Sequence, residues 1–122
     1  MDKTLFDEMI ATRRKLHAMP AEGWTEFETT YLIAGRLEAI GFEDIRLGTA
    51  VVSPAHALGR NPELVARAMD RALANGVPQA FLDRTGGFTG CVGVIATGRP
   101  GPVTALRFDI DCVPVEETEA PE

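Results

Sequence analysis

The sequence predicts an α/β fold, and three observations carry that prediction. Apolar residues recur at three- and four-residue intervals in several stretches, as one face of a helix requires. Those stretches alternate with short runs rich in Val and Ile, bounded by Gly and Pro, that read as strands. The 122 residues are 45% hydrophobic and 25% charged, the balance of a chain that buries a core rather than one that stays solvated, and their number suits one domain.

The first helix is expected from Asp2 to about His17. Leu5, Phe6, Met9, Ile10, Arg13, Leu16 and His17 share a stripe there, so one face should turn to a core, and Met19-Pro20 ends the element. Thr25-Glu26-Phe27-Glu28 has the spacing of a capping box, after which Phe27, Tyr31, Ala34, Leu37 and Ile40 trace a second helix to a stop at Gly41. Phe42 to Leu47 reads as a strand closing at Gly48, and Ala50-Val51-Val52 as a second extended piece before Ser53-Pro54. Asn61 as cap, Pro62 at the first helical position, an apolar stripe through Leu64, Val65, Ala68, Met69, Ala72 and Leu73, and a stop at Asn75-Gly76 define a third helix, expected to be inserted or peripheral.

Pro78 to Leu82 adds a helical turn or two before Gly86-Gly87. Val92 to Thr97 and Val103 to Asp111 then read as strands, and the Gly98-Arg99-Pro100-Gly101-Pro102 link between them suits an antiparallel hairpin. In the second of these strands Thr104, Leu106, Phe108 and Ile110 share one face, so Arg107, Asp109 and Asp111 gather at the end of the other. No internal repeat or low-complexity segment is present, and residues 116–122 are the candidate disordered tail.

Twelve Lys and Arg against eighteen Asp and Glu leave a net charge of -6, which argues against nucleic acid or an anionic membrane surface as partner. No apolar run reaches the length of a signal-peptide core or a membrane span. Cys91 and Cys112 lack CxxC spacing, so the sequence offers neither a disulfide framework nor a zinc knuckle, and a reduced cytoplasmic setting is expected.

Asp109 and Asp111 are the candidate site residues. Carboxylates at the mouth of a strand act as general bases, orient a metal-binding histidine or hold a cation, and the alternative is an ion-pair cluster with Arg107. His17 lies on the apolar side of the first helix, where a hydrogen-bonded packing histidine is the bland reading, and His56 falls in a loop without an assigned role. Cys112 follows Asp111 directly, but the sequence places no base or cation beside it, so it reads as a small buried thiol. Gly86-Gly87-Phe88-Thr89-Gly90 lacks the lysine and spacing of a P-loop and reads as a turn into the next strand.

Three blocks in order resemble the start of the M20-type metallopeptidases and amidohydrolases. They are Arg14 through Thr29, which contains Leu16-His17-Ala18-Met19-Pro20, then Thr97 through Pro102, and then Leu106-Arg107-Phe108-Asp109-Ile110-Asp111-Cys112-Val113-Pro114. The stretch from Gly48 through the third helix to Gly90 resembles the segment that sets apart a branch acting on p-aminobenzoyl-glutamate. The resemblance implies a three-layer, mixed-sheet catalytic domain of the zinc-peptidase-like (phosphorylase/hydrolase-like) kind, with a smaller inserted lid domain, of which residues 1–122 are an incomplete N-terminal portion.

It further implies a hydrolase of N-acyl or aryl-amide bonds to an amino acid, such as p-aminobenzoyl-glutamate, working with two divalent ions, Mn or Zn. The metal ligands of such enzymes are a Cys/His motif, a Glu and further His residues, and no HxCGH-like stretch occurs in this sequence. By position, Asp111 resembles the aspartate that stands just behind the metals, and Asp109 occupies the place of a metal-binding His in other branches. The expected role of both is support, with no metal held tightly and no hydrolysis by this chain alone. The resemblance also implies a B-type subunit or a homo-oligomer as partner. The rival expectation is a truncated, non-catalytic interaction or regulatory module.

Overall fold

The computed structural model describes residues 2–113 and 115. Four α-helices and a two-stranded sheet follow one another as α1 (Lys3–His17), α2 (Phe27–Ala39), β1 (Asp44–Leu47), α3 (Pro62–Ala74), α4 (Gln79–Thr85) and β2 (Cys91–Val94), with short 3-10 turns at Gly48–Ala50 and Pro54–His56. β1 and β2 pair antiparallel, with Asp44 opposite Val94 and Leu47 opposite Cys91. The expected α/β character is therefore present. Ala50, expected to be extended, belongs instead to the 3-10 turn, where the amides of Val51 and Val52 both donate back to the Gly48 carbonyl at 2.9 and 2.8 Å.

Local capping explains the helix boundaries. Asp2 caps α1 by accepting from the Thr4 amide, and the Asn61 side chain accepts from the Glu63 and Leu64 amides ahead of Pro62, so two orphan donors of α3 are satisfied before the helix begins. The capping box expected at α2 does not form. Thr25 Oγ1 turns away to donate to the Glu22 carbonyl at 2.7 Å, while Glu26 is committed to Thr89.

The core is built where α2, β1, α3 and α4 meet. Phe27 and Ala34 from α2, Leu47 from β1, Val65, Ala68 and Ala72 from α3, and Val77, Phe81 and Leu82 around α4 form one buried cluster. Period-two alternation in β1 sends Ile45 and Leu47 inward and leaves Asp44 and Arg46 to pair outside, where hydrogen bonding from Arg46 keeps the Asp44 carboxyl below its ordinary range. α3 was expected to be inserted or peripheral, and the structure corrects the second alternative: its small Ala68 and Ala72 are fully buried and let the helix lie close against α2. Arg71 locks the contact with a fork onto Glu28, Nε at 2.8 Å and Nη2 at 2.9 Å.

Two other expectations fail on burial. α1 is a helix as its periodicity requires, but none of its residues is buried; Leu5, Phe6 and Met9 remain about half exposed, and a 3.6 Å ion pair from Glu8 to Arg36 ties it to α2. Amphipathicity specifies a face, not what covers it. The hairpin is also absent. β2 ends at Val94 and pairs with β1, and residues 95–113 carry no helix or strand. Pro100 and Pro102 remove donors from the link, and Leu106 and Phe108 stay 78% and 77% exposed, so Val103 to Asp111 has neither a ladder partner nor a covered face among the described residues. The tail expected to be disordered, 116–122, lies outside the described residues.

Candidate functional site

The extended segment returns to the body of the protein at its end. The Cys112 amide donates to the Ala21 carbonyl at 2.9 Å, and Ile110 and Cys112 become half-buried. This single clamp brings the end of the third sequence block against the turn between α1 and α2. A Cβ built on Gly23 would lie 4.0 Å from Asp111 Oδ2, so the Asp111 carboxylate sits directly beside that turn. Asp111 itself is exposed.

The turn is sharply made. The Thr25 amide donates to the Glu22 carbonyl at 3.0 Å, and Trp24, at the third position, adopts φ +72°, a left-handed conformation that costs a bulky residue about 1–2 kcal/mol. Two contacts hold it there. The indole N–H donates to the Leu58 carbonyl at 2.7 Å, and the ring packs edge-on against Phe88 with centroids 5.9 Å apart. Phe88 in turn lies under the Arg60 guanidinium at 4.4 Å, and Arg60 Nη2 donates to the Gly87 carbonyl at 2.7 Å.

Behind the turn, the Gly86-to-Gly90 stretch is tied to α2 by buried hydroxyls. Thr89 Oγ1 donates to Glu26 Oε2, and Thr30 Oγ1 accepts from the Gly90 amide at 3.0 Å. The stretch is thus the turn into β2 that its sequence predicted, and not a phosphate cradle. The contact between Glu26 and Thr89 is not legible in the sequence, since a pairing between residues so far apart in the chain leaves no local signal.

The two candidate aspartates are not equivalent. Asp109 is bound to Arg107 Nη2 in a pair that is largely solvent-exposed, with side-chain exposures of 84% for the arginine and 65% for the aspartate. The ion-pair alternative therefore describes Asp109, whereas Asp111 alone of the two reaches another sequence block. Among the described residues no group of three or more His, Cys, Asp and Glu stands together as a metal site would require. His17 lies exposed on the last turn of α1, and His56 Nδ1 is 3.0 Å from Ser53 Oγ in the 3-10 turn that contains it. Cys91 and Cys112 are both free thiols; burial pushes the Cys91 pKa up, which disfavours its thiolate form.

Known proteins are similar to this chain over most of its length. A homolog of the p-aminobenzoyl-glutamate hydrolase A subunit, from Haemophilus influenzae, is 40% identical over 95% of this chain, which spans 27% of that protein. The crystal structure of an aminobenzoyl-glutamate utilization protein from Klebsiella pneumoniae superposes with a TM-score of 0.74 at 36% identity, over 82% of this chain and 25% of that one. Over these residues the chain is similar to the p-aminobenzoyl-glutamate hydrolase A subunits. The indole-3-acetyl-aspartic acid hydrolase of Enterobacter agglomerans matches at 38% identity over 94% of the chain and 27% of its own length. No family model matches. The chain thus spans about a quarter of the length of the relatives it matches. Among the described residues no helix is long and apolar enough to cross a membrane.

Proposed function

We propose that this chain is the N-terminal portion of the catalytic domain of a metal-dependent amidohydrolase of the M20 type, which cleaves N-acyl or aryl-amide bonds to an amino acid such as p-aminobenzoyl-glutamate. The observation that carries this reading is the breadth of the match. Two hydrolases whose names give different acyl groups, p-aminobenzoyl and indole-3-acetyl, both align over nearly all of this chain. What those names share is an amide to an acidic amino acid.

In this reading the parent enzyme would use two divalent ions, Mn or Zn, which would supply Lewis-acid chemistry toward the amide. The described residues do not fit a complete site for them: Asp109 is committed to Arg107, and Asp111 is a single exposed carboxylate. The ligands would come from the remainder of a longer polypeptide. Asp111 would brace one of them, because its place beside Gly23 is fixed by the Cys112 to Ala21 hydrogen bond. The chain by itself is accordingly inactive. The naming of the relatives as one kind of subunit supports a B-type subunit or a second copy as partner, and two free thiols on separate segments suit a cytoplasmic setting.

The test is to express the longest open reading frame that contains these 122 residues and to assay amide cleavage of p-aminobenzoyl-glutamate and indole-3-acetyl-aspartate with added Mn²⁺ or Zn²⁺. Cleavage by the longer polypeptide and none by the 122-residue chain is expected. Turnover by the short chain would overturn the assignment of the ligands elsewhere, and failure of the longer polypeptide on every acyl amino acid would overturn the amidohydrolase reading.

A further inference from the structure

A cleft of about 400 Å³ opens between the Pro20-to-Thr25 stretch and α3, with Cys112 and Val115 along its side. Two arginines one helical turn apart on α3 line it, and their situations differ. Arg71 is committed: its Nε and Nη2 grip both oxygens of Glu28, and Nη2 also donates to the Thr25 carbonyl at 2.8 Å. Arg67 has no hydrogen-bond or ion-pair partner among the described residues, although it lines the same cleft of a protein whose net charge is -6.

We infer that this cleft is a subsite for the acidic amino-acid half of an N-acyl amino acid, with Arg67 as the group that receives a carboxylate. The inference deepens the amidohydrolase reading and rests on it for the identity of the ligand. A guanidinium presents paired N–H donors matched to the two oxygens of a carboxylate, and Arg67, exposed and without a partner among the described residues, has those donors available to a ligand. Leu64 and Pro20 supply apolar wall for the ligand's methylenes, and the volume falls within the range of small-molecule sites, about 300–1,000 Å³. Glu22 lines the cleft as well, and its charge directs the ligand's carboxylate away from itself toward the Arg67 end. Cys112, which follows Asp111 in the chain, lines the cleft and so links the subsite to the segment that carries the candidate aspartate.

Trp24 is the only tryptophan and lies between Glu22 and Thr25, which both line the cleft, so its fluorescence is the reporter of occupancy. The experiment titrates the chain with N-acetyl-L-glutamate at low ionic strength, without metal, beside N-acetylglycinamide as the uncharged probe. A saturable response to N-acetyl-L-glutamate alone is expected. It should weaken by about ten-fold or more in Arg67→Gln and by less in Arg67→Lys, and remain unchanged in Arg84→Gln, whose side chain lines a different cleft. Circular dichroism of each variant confirms that the fold is kept. An equal response in Arg67→Gln, an equal response to the uncharged probe, or no saturable response at all overturns the inference. Because neither metal nor turnover enters the measurement, Arg67-dependent binding without hydrolysis by the longer polypeptide would remove the enzyme reading and keep the subsite, and hydrolysis without such binding would do the reverse.

Discussion

Replacing Gly48 by alanine tests how tightly the end of β1 is wedged against α4. Gly48 has φ +49°, and a methyl on its Cα would lie 1.9 Å from the Thr85 carbonyl oxygen and 2.6 Å from its carbonyl carbon. Relaxed contacts of this kind are about 3.3–3.6 Å, so one backbone must retreat by more than an ångström. Neither can do so freely. Thr85 is fully buried, with Oγ1 donating to the Leu82 carbonyl at 2.7 Å and accepting from the Gly87 amide at 3.2 Å. Gly48 donates to the Gly90 carbonyl at 3.1 Å and accepts from two amides of the 3-10 turn. The left-handed conformation costs about 1–2 kcal/mol and the overpacking about 1–3 kcal/mol more, so Gly48→Ala should destabilise by about 2–5 kcal/mol. Gly76 is the comparison: φ is +88° there and nothing lies within 4 Å of its would-be Cβ, which leaves the conformational cost of about 1–2 kcal/mol alone. Urea unfolding of both variants, followed by far-ultraviolet circular dichroism, measures the difference. Equal losses at the two positions would refute the steric account.

Other perturbations follow from single contacts. Burial acts to raise the Glu28 pKa, but hydrogen bonds from Arg71, its own backbone and Asn75, with the Arg71 charge, outweigh it and hold the carboxyl below its ordinary value of 4.5. A depressed carboxyl contributes stability that is complete above the unfolded value and is lost as pH falls through the folded one, so as pH falls below 4.5 the wild-type chain should lose more stability than Glu28→Gln in parallel denaturant titrations. Arg71→Ala should cost about 1–3 kcal/mol at neutral pH, since the Glu28 side chain is 11% exposed and keeps only its own backbone amide and Asn75, as read by thermal unfolding. Asp109→Asn should shift stability by less than about 0.5 kcal/mol in urea, because the Arg107 pair it removes is exposed and screened; a larger loss would mean that Asp109 is held by more than Arg107.

The sequence made legible what short-range chemistry decides. Asn61-Pro62 and Asn75-Gly76 bracket α3 because capping is settled within a few residues, and the α1 periodicity required a helix whatever covered it. Strands are different. Val103 to Asp111 has the alternation of a strand, yet a strand exists only with a partner, and the pairing that forms is between Asp44–Leu47 and Cys91–Val94, two segments with all of α3 and α4 between them. The same distance hid the role of α3, whose Ala68 and Ala72 look like neutral helix formers until Phe27 and Leu82 close over them. At the site, sequence pattern could single out Asp109 and Asp111 together but could not separate them. Their difference arises from one backbone hydrogen bond, Cys112 to Ala21, which draws Asp111 to the turn and leaves Asp109 outside with Arg107.

That bond also gives the stretch from Gly48 to Gly90 a purpose beyond filling the core. A left-handed tryptophan does not persist by itself; the Leu58 carbonyl and the Phe88 ring, both from that stretch, hold Trp24 at φ +72°, and the Arg60 guanidinium stacks on Phe88 in turn. The turn so fixed sets the position of Ala21 and Gly23, and those two residues receive Cys112 and Asp111. The line of dependence therefore runs from Arg60 through Phe88 and Trp24 to the candidate aspartate. Phe88→Leu should then act at the Asp111 end of the molecule before it acts on the core, because Trp24 is only partly buried and the strain it holds is released into the turn. Amide hydrogen exchange reads this directly: the Cys112 amide should lose protection in Phe88→Leu while the amides of α3 keep theirs, and a uniform loss across both would mean that Phe88 serves the core alone.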